Sequence, residues 1–270
     1  MGKMLWRTVA LATILMMTSS GVALAIPSLG GPTGVVSTPS AIVAPMGGVQ
    51  GALSYQSLEV GGDTTEDYSA WALQALAGVT DKAELWAAYG SVRDGEDTHI
   101  WAFGGKLQAL AEPTGQTKFA VGGAYRSWAD GADADVRNAY LVVTKDLTPL
   151  GGEGWEWRPT GGTTLVGSLG LMYLSLDPDL PGVDSEALTR PFVNLEFTGV
   201  GGTTLGLEYR WKDSDLDAQA VFSAVVRQAL SGELTGELGT TNSNPLGFGL
   251  DDQDWFVRLA YSMPFGEPGW

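Results

Sequence analysis

The chain has 270 residues, no cysteine, one histidine and a formal net charge of −16, with 38 glycines and 10 tryptophans. Those numbers exclude a disulfide scaffold, a thiolate metal site and a nucleic-acid binder, whose affinity rests on cationic contacts to phosphate. A mean hydropathy of +0.05 is too low for a bundle of membrane helices but suits strands in which apolar and polar residues alternate.

Residues 1–25 read as a secretory signal. Lys3 and Arg7 precede an apolar run, Val9 to Met17, too short to span a bilayer, and Ala23-Leu24-Ala25 supplies a small-x-small cleavage site. No cysteine follows that site, which excludes a lipoprotein, and loss of Lys3 and Arg7 takes the formal charge from −16 to −18. Residues 26–47 carry Pro27, Pro32, Pro39 and Pro45 and little charge, so they cannot form a helix. The segment is a loose N-terminal linker or a packed one, and its apolar members, Ile26, Leu29, Val35, Val36, Ile42 and Val43, favour a packed one, either a small plug inside a barrel or a cover over its periplasmic mouth.

From 48 to 265 the pattern predicts about twelve strands, at 48–59, 69–79, 82–92, 98–110, 116–127, 136–145, 162–175, 190–199, 203–212, 218–229, 233–240 and 254–265. Their length is that of a tilted strand crossing a bilayer. In 203–212, Leu205, Leu207, Tyr209 and Trp211 share one face, and Thr204, Glu208, Arg210 and Lys212 the other. Strands 136–145 and 218–229 are apolar on both faces, and periodicity alone does not orient them. The acid-rich connections (60–68, 93–97, 128–135, 176–189, 213–217 and 241–253) alternate with short turns, as expected when long loops face outside and short turns inside. Segment 146–161 breaks that alternation, so it is an elaborated inner loop or hides a hairpin that raises the count to fourteen. In the last strand Trp255, Val257, Leu259, Tyr261, Met263 and Phe265 form one continuous apolar face, opposite Arg258, Ala260 and Ser262. That face suits lipid and recognition by barrel-assembly machinery. In water it would be an aggregation hazard unless a second sheet covered it. Residues 266–270 are a short tail.

The fold class is therefore all-β: an antiparallel up-and-down transmembrane barrel in a bacterial outer membrane, touching its lipids. The inward charges, Lys106, Lys118, Arg126, Glu196, Glu208, Arg210, Glu237 and Arg258, either pair and fill the lumen or line a narrow pore. Glu208 and Arg210, two apart on one face, are the most pore-like pair. The single histidine, His99, shares parity with Trp101 and Phe103 and reads as a girdle residue. A catalytic role would need a serine partner, of which Ser91 is the nearest by hairpin pairing. Asp130, Asp133 and Asp135, and Asp213, Asp215 and Asp217, space carboxylates on turns as candidate Ca²⁺ ligands, without the twelve-residue helix–loop–helix pattern. No other cofactor is implied.

The run Gly30-Gly31-Pro32-Thr33-Gly34-Val35-Val36-Ser37-Thr38-Pro39-Ser40-Ala41, followed at once by a strand, resembles the opening of bacterial outer-membrane barrels associated with exopolysaccharide production. In that family a Gly-x-x-Gly-hydrophobic-x-x-x-Pro-Thr/Ser-Ala pattern precedes the first strand. The resemblance implies a role in polysaccharide traffic. The expected function is a non-enzymatic narrow pore or structural component of the envelope. The alternatives are an outer-membrane lipid hydrolase and a secreted, soluble, carbohydrate-binding β-sandwich.

Overall fold

The computed structural model describes residues 32, 34–60, 66–94, 96–111, 117–129, 134–148, 163–178, 186–199, 202–212, 219–243 and 249–263. The signal segment 1–25, the tail 266–270, Asp130, Asp133, Asp213, Asp215, Asp217 and Phe265 lie outside the described residues. Twelve strands form one sheet: β1 (Val49–Val60), β2 (Glu66–Thr80), β3 (Ala83–Asp94), β4 (Glu96–Ala111), β5 (Thr117–Ala129), β6 (Ala134–Asp146), β7 (Thr164–Pro178), β8 (Glu186–Thr198), β9 (Thr203–Arg210), β10 (Val221–Ala229), β11 (Leu234–Ser243) and β12 (Gly249–Met263). Each pairs antiparallel with its neighbours in sequence, and β1 pairs with β12 from Val49↔Met263 to Gln56↔Phe256, which closes the barrel. Closure removes every free sheet edge.

The pleat sorts side chains between two environments. On β7, Ser168 is 3% exposed and its neighbour Leu169 is 61% exposed. On β12, Trp255, Val257, Leu259, Tyr261 and Met263 point out, while Phe256, Arg258 and Ala260 are buried inside. An outer wall of Leu53, Leu73, Leu85, Phe103, Leu141, Leu171 and Leu195 would cost about 1.5–3 kcal/mol per side chain in water. In hydrocarbon that cost vanishes. At the long-loop end, aromatic groups gather on the wall, with Tyr89 packed against Trp71, His99 and Trp101 and Tyr209 against Trp211, as an interfacial girdle requires.

Inside, four aromatic side chains each lie over a glycine on the adjacent strand: Trp86 over Gly104, Tyr140 over Gly122, Phe192 over Gly170 and Phe256 over Gly239. A Cβ on any of those glycines would meet the ring at 2.3–2.8 Å. The bare backbone is what lets a narrow barrel hold rings at all.

Two expectations are corrected. Fourteen strands are excluded, because β6 pairs with β7 continuously from Ala134↔Pro178 to Asp146↔Val166, leaving no place in the wall for another hairpin. The β-sandwich is excluded by the single closed sheet. Several strands also run further than the apolar alternation: β8 begins at Glu186, β12 at Gly249, and β3 and β4 reach Asp94 and Glu96. Ladder hydrogen bonds do not stop where the membrane does, so charged residues continue the sheet into the acidic connections. At the other limit, β9 ends at Arg210 and β10 starts at Val221, short of the expected 203–212 and 218–229.

Residues 34–44 lie inside the barrel. Val35, Val36, Thr38, Ala41 and Ala44 are fully buried. Val35 and Val36 pack with Val225 and Phe256, Ala41 with the cluster around Tyr140 and Phe192, and Ala44 with Leu76, Trp86 and Ala102. A tight turn links Gly34 to Pro39, with the Val35 N–H donating to the Thr38 carbonyl at 3.2 Å. A Cβ on Gly34 would sit 2.1 Å from that carbonyl oxygen, so the turn needs glycine. The chain then leaves the interior through Gly47, whose φ of 77° is the left-handed conformation that glycine adopts freely, and enters β1 at the short-turn end.

Candidate functional site

The barrel interior is where the chain's chemistry is concentrated, and its centre is Glu208 on β9. The carboxylate accepts from three successive backbone amides, Val36 at 3.0 Å, Ser37 at 2.9 Å and Thr38 at 3.0 Å. The hydroxyls of Ser37, Thr38 and, from β10, Ser223 also donate to it. Consecutive N–H groups converging on an anion form a nest, here built by the inner segment around a wall carboxylate. Burying Glu208 to 2% exposure would be prohibitive without such donors.

Other wall residues hold the rest of the segment. Lys106 on β4 forms an ion pair with Glu84 on β3 at 3.0 Å and donates to the Ser40 carbonyl at 3.0 Å. Glu84 accepts the Ala44 N–H at 2.8 Å. Gln108 donates to the Ala41 carbonyl, and the Ala41 N–H donates to Thr144 Oγ1. Asn194 on β8 donates to Thr38 Oγ1 and the Pro39 carbonyl. Arg210 donates to Ser37 Oγ at 3.0 Å, and Arg227 on β10 to the carbonyls of Gly34 and Val35.

The remaining inward charges form a chain across four strands. Arg227 bonds Glu196 at 3.0 Å and Glu237 at 2.7 Å, and Glu237 also takes a bond from Arg258. Arg126 is 7% exposed and borders a cavity. Lys118 is half-buried on the inward parity of β5 near the short turns. Glu208 and Arg210 do not face open space as a pore-like pair would: both are buried against the inner segment. Four interior charges escaped the sequence reading, one of them Asp254, on the inward parity of Arg258 at the outer part of β12. Arg227 lies in the strand whose two faces are both apolar. Arg190 stands where the expected strand began, and Glu84 sits on β3, whose parity was not assigned. Carrying parity from Glu196 back to Arg190, and from Trp86 to Glu84, would have found the last two.

No family model matches the chain, and no curated protein matches its sequence. Among solved structures, the KdgM porin in complex with disordered oligogalacturonate superposes with a TM-score of 0.54 and 10% identity, covering 79% of this chain and 99% of that chain. A second structure of the KdgM porin gives 0.54 and 9%, covering 80% and 99%. A weaker likeness, with a TM-score of 0.46 and 7% identity over 82% of this chain and 93% of that chain, is to outer membrane phospholipase A from Escherichia coli. The chain has the fold of a bacterial outer-membrane β-barrel. Its closed wall, apolar outside and charged inside, belongs in that membrane.

In this barrel His99 belongs to the outer wall. Its ring stacks on Tyr89 at 5.8 Å between centroids, and Nδ1 is 3.0 Å from the Tyr89 hydroxyl. Ser91 is its ladder partner and shares its outward parity, but it is 5% exposed and no hydrogen bond joins the two among the described residues. Of the candidate calcium ligands only Asp135 is described, and its carboxylate accepts the Tyr125 hydroxyl at 2.6 Å. Among the described residues no group of three or more metal-ligating side chains gathers.

Proposed function

We propose that this protein is an outer-membrane pore closed by its own inner segment, and that it serves the passage of polysaccharide across the envelope without catalysing a reaction. One observation carries the reading: the Glu208 carboxylate is enclosed by residues 36–38, which fill the lumen beside it. A lumen meant only to be rigid can be filled by wall side chains pairing with each other, as Arg227, Glu237 and Arg258 do. A lumen filled by a separate stretch of chain, held by hydrogen bonds to wall side chains, can be emptied. The residues that carry the exopolysaccharide resemblance are the ones that seat this stretch: Gly34 makes the turn, Val35 packs on Val225, and Ala41 is fully buried.

The KdgM porin, similar in fold, is described in complex with disordered oligogalacturonate, which supports polysaccharide as the cargo. The lipid-hydrolase alternative has no comparable observation behind it, since among the described residues the hydrogen bond of the His99 ring goes to Tyr89 and none joins it to Ser91. Calcium at the outer carboxylates, bridging anionic lipid headgroups, and delivery to the membrane through the apolar face of β12 belong to the same proposal.

The test is single-channel conductance of the full chain and of Glu208→Gln in planar bilayers. Hydrogen bonds to a charged group are worth about 1.5–3 kcal/mol each. Neutralising this acceptor therefore raises the open-to-closed ratio by about a hundredfold or more. A Glu208→Gln barrel that folds yet opens no more often than wild type refutes the proposal.

A further inference from the structure

The four interior rings stand on strands spread around the circumference: Trp86 on β3, Tyr140 on β6, Phe192 on β8 and Phe256 on β12. Each lies over the glycine that is its ladder partner on a neighbouring strand. A ring so placed runs along the wall instead of pointing at the axis, and leaves the space between the rings to something else. The inner segment takes it. Val35 and Val36 pack in the cluster of Phe256, Ala41 in that of Tyr140 and Phe192, and Ala44 in that of Trp86. With this cover none of the four rings is more than 5% exposed. Displacing the segment uncovers four aromatic surfaces, and leaving them to water is unfavourable. The charges nearby stay paired within the wall, Lys106 with Glu84 and Arg227 with Glu196 and Glu237. The segment also leaves behind two amide donors that now serve its carbonyls, Gln108 at Ala41 and Asn194 at Pro39.

We propose that Trp86, Tyr140, Phe192 and Phe256 form an aromatic collar that binds the pyranose rings of a passing polysaccharide by their C–H faces, and that the inner segment covers this collar until the cargo replaces it. A pyranose has C–H bonds on its flat faces and hydroxyls on its rim. It therefore lays a face on an aromatic ring and turns hydroxyls to the few placed polar groups such a site needs, here Gln108 and Asn194. A polymer that offers only charge would leave the rings wet. The collar rests on the reading of the barrel as a polysaccharide pore and deepens it: the cargo is recognised by flat, uncharged sugar surface, at the same place that the closing segment occupies.

The test is calorimetric titration in detergent of the full wild-type chain and of Gly34→Val, which breaks the turn that seats Val35 and Val36. The probe is cellohexaose, an uncharged chain of flat pyranose rings, with polyethylene glycol of the same mass as the control for bulk. Gly34→Val is expected to bind cellohexaose about tenfold or more tightly than wild type does, and by the same margin over the glycol. In that background Tyr140→Leu and Phe192→Leu, which keep apolar bulk but lose the ring, each weaken binding about threefold. Heat-modifiable gel mobility checks that each variant folds, and Glu208→Gln replaces Gly34→Val if the latter does not. Equal affinity in the wild type and the released variant, equal affinity for the glycol, or unchanged binding in the leucine variants overturns the collar. The two readings fail separately. A released barrel that binds cellohexaose through Tyr140 and Phe192 but never conducts refutes the pore and keeps the collar, whereas one that conducts and does not prefer cellohexaose refutes the collar and keeps the pore.

Discussion

The backbone N–H of Val36 donates to Oε2 of Glu208 at 3.0 Å, joining residues 172 positions apart in the chain. The bond runs from a segment that belongs to no strand to the inner face of β9. It is the first of a set that makes residues 34–44 part of the barrel's interior. Everything proposed about transport depends on whether that set can be released.

The turn at Gly34 is one way to release it. A Cβ there would lie 2.1 Å from the Thr38 carbonyl oxygen, and a β-branched side chain cannot relieve that contact. Gly34→Val is expected to leave the barrel folded and to unseat Val35 and Val36. Liposomes carrying it should swell in a small neutral sugar several times faster than wild-type liposomes. Equal swelling rates would show that the turn does not hold the segment in place.

The charge chain on β8, β10, β11 and β12 answers a different question. Glu237 accepts from both Arg227 and Arg258 and is 3% exposed. Removing one partner of a buried ion pair leaves an uncompensated charge and costs about 3–5 kcal/mol. Glu237→Ala should lower the temperature at which the folded gel band disappears, without opening the pore. Increased conductance with unchanged thermal resistance would move this cluster from stability to gating.

The outer wall predicts a depth dependence. Leu171 lies mid-strand on β7, 48% exposed and paired with Leu141, where arginine costs about 2–4 kcal/mol in a bilayer. His99 sits in the girdle, where the same substitution costs about 0–1 kcal/mol. Urea unfolding in lipid vesicles should therefore separate Leu171→Arg from His99→Arg by about 1–4 kcal/mol. Equal penalties would mean that the membrane does not sit where the aromatic groups place it.

Most of the wall was legible in the sequence because a closed barrel writes itself in period two. On β12, Trp255 to Met263 alternate with Phe256, Arg258 and Ala260, and the sequence assigns each side without ambiguity. On β6 it does not, because Tyr140 and Val142 pack against the interior cluster while Leu141 and Val143 face lipid. Two apolar environments erase the contrast that periodicity needs. Strand ends were legible only to the edge of the apolar pattern, since ladder bonds carry β8 and β12 beyond it. The inward parity of Glu208 and Arg210 could be read, but their partners could not. Nothing local links residues 36–38 to position 208, and a Pro- and Gly-rich run gives no period from which to place it. The cavity beside Arg126 was hidden for the same reason. It arises from alanines and a glycine on several strands, each unremarkable alone.

The most direct test compares planar-bilayer recordings of the wild-type barrel with a form lacking residues 34–47, both shown to be folded by heat-modifiable mobility. If the segment closes the lumen, the wild type is silent or opens rarely and the deletion gives large, steady, stepwise conductance. A wild type that conducts steadily, or a folded deletion that stays silent, would contradict the claim that residues 34–47 close this pore.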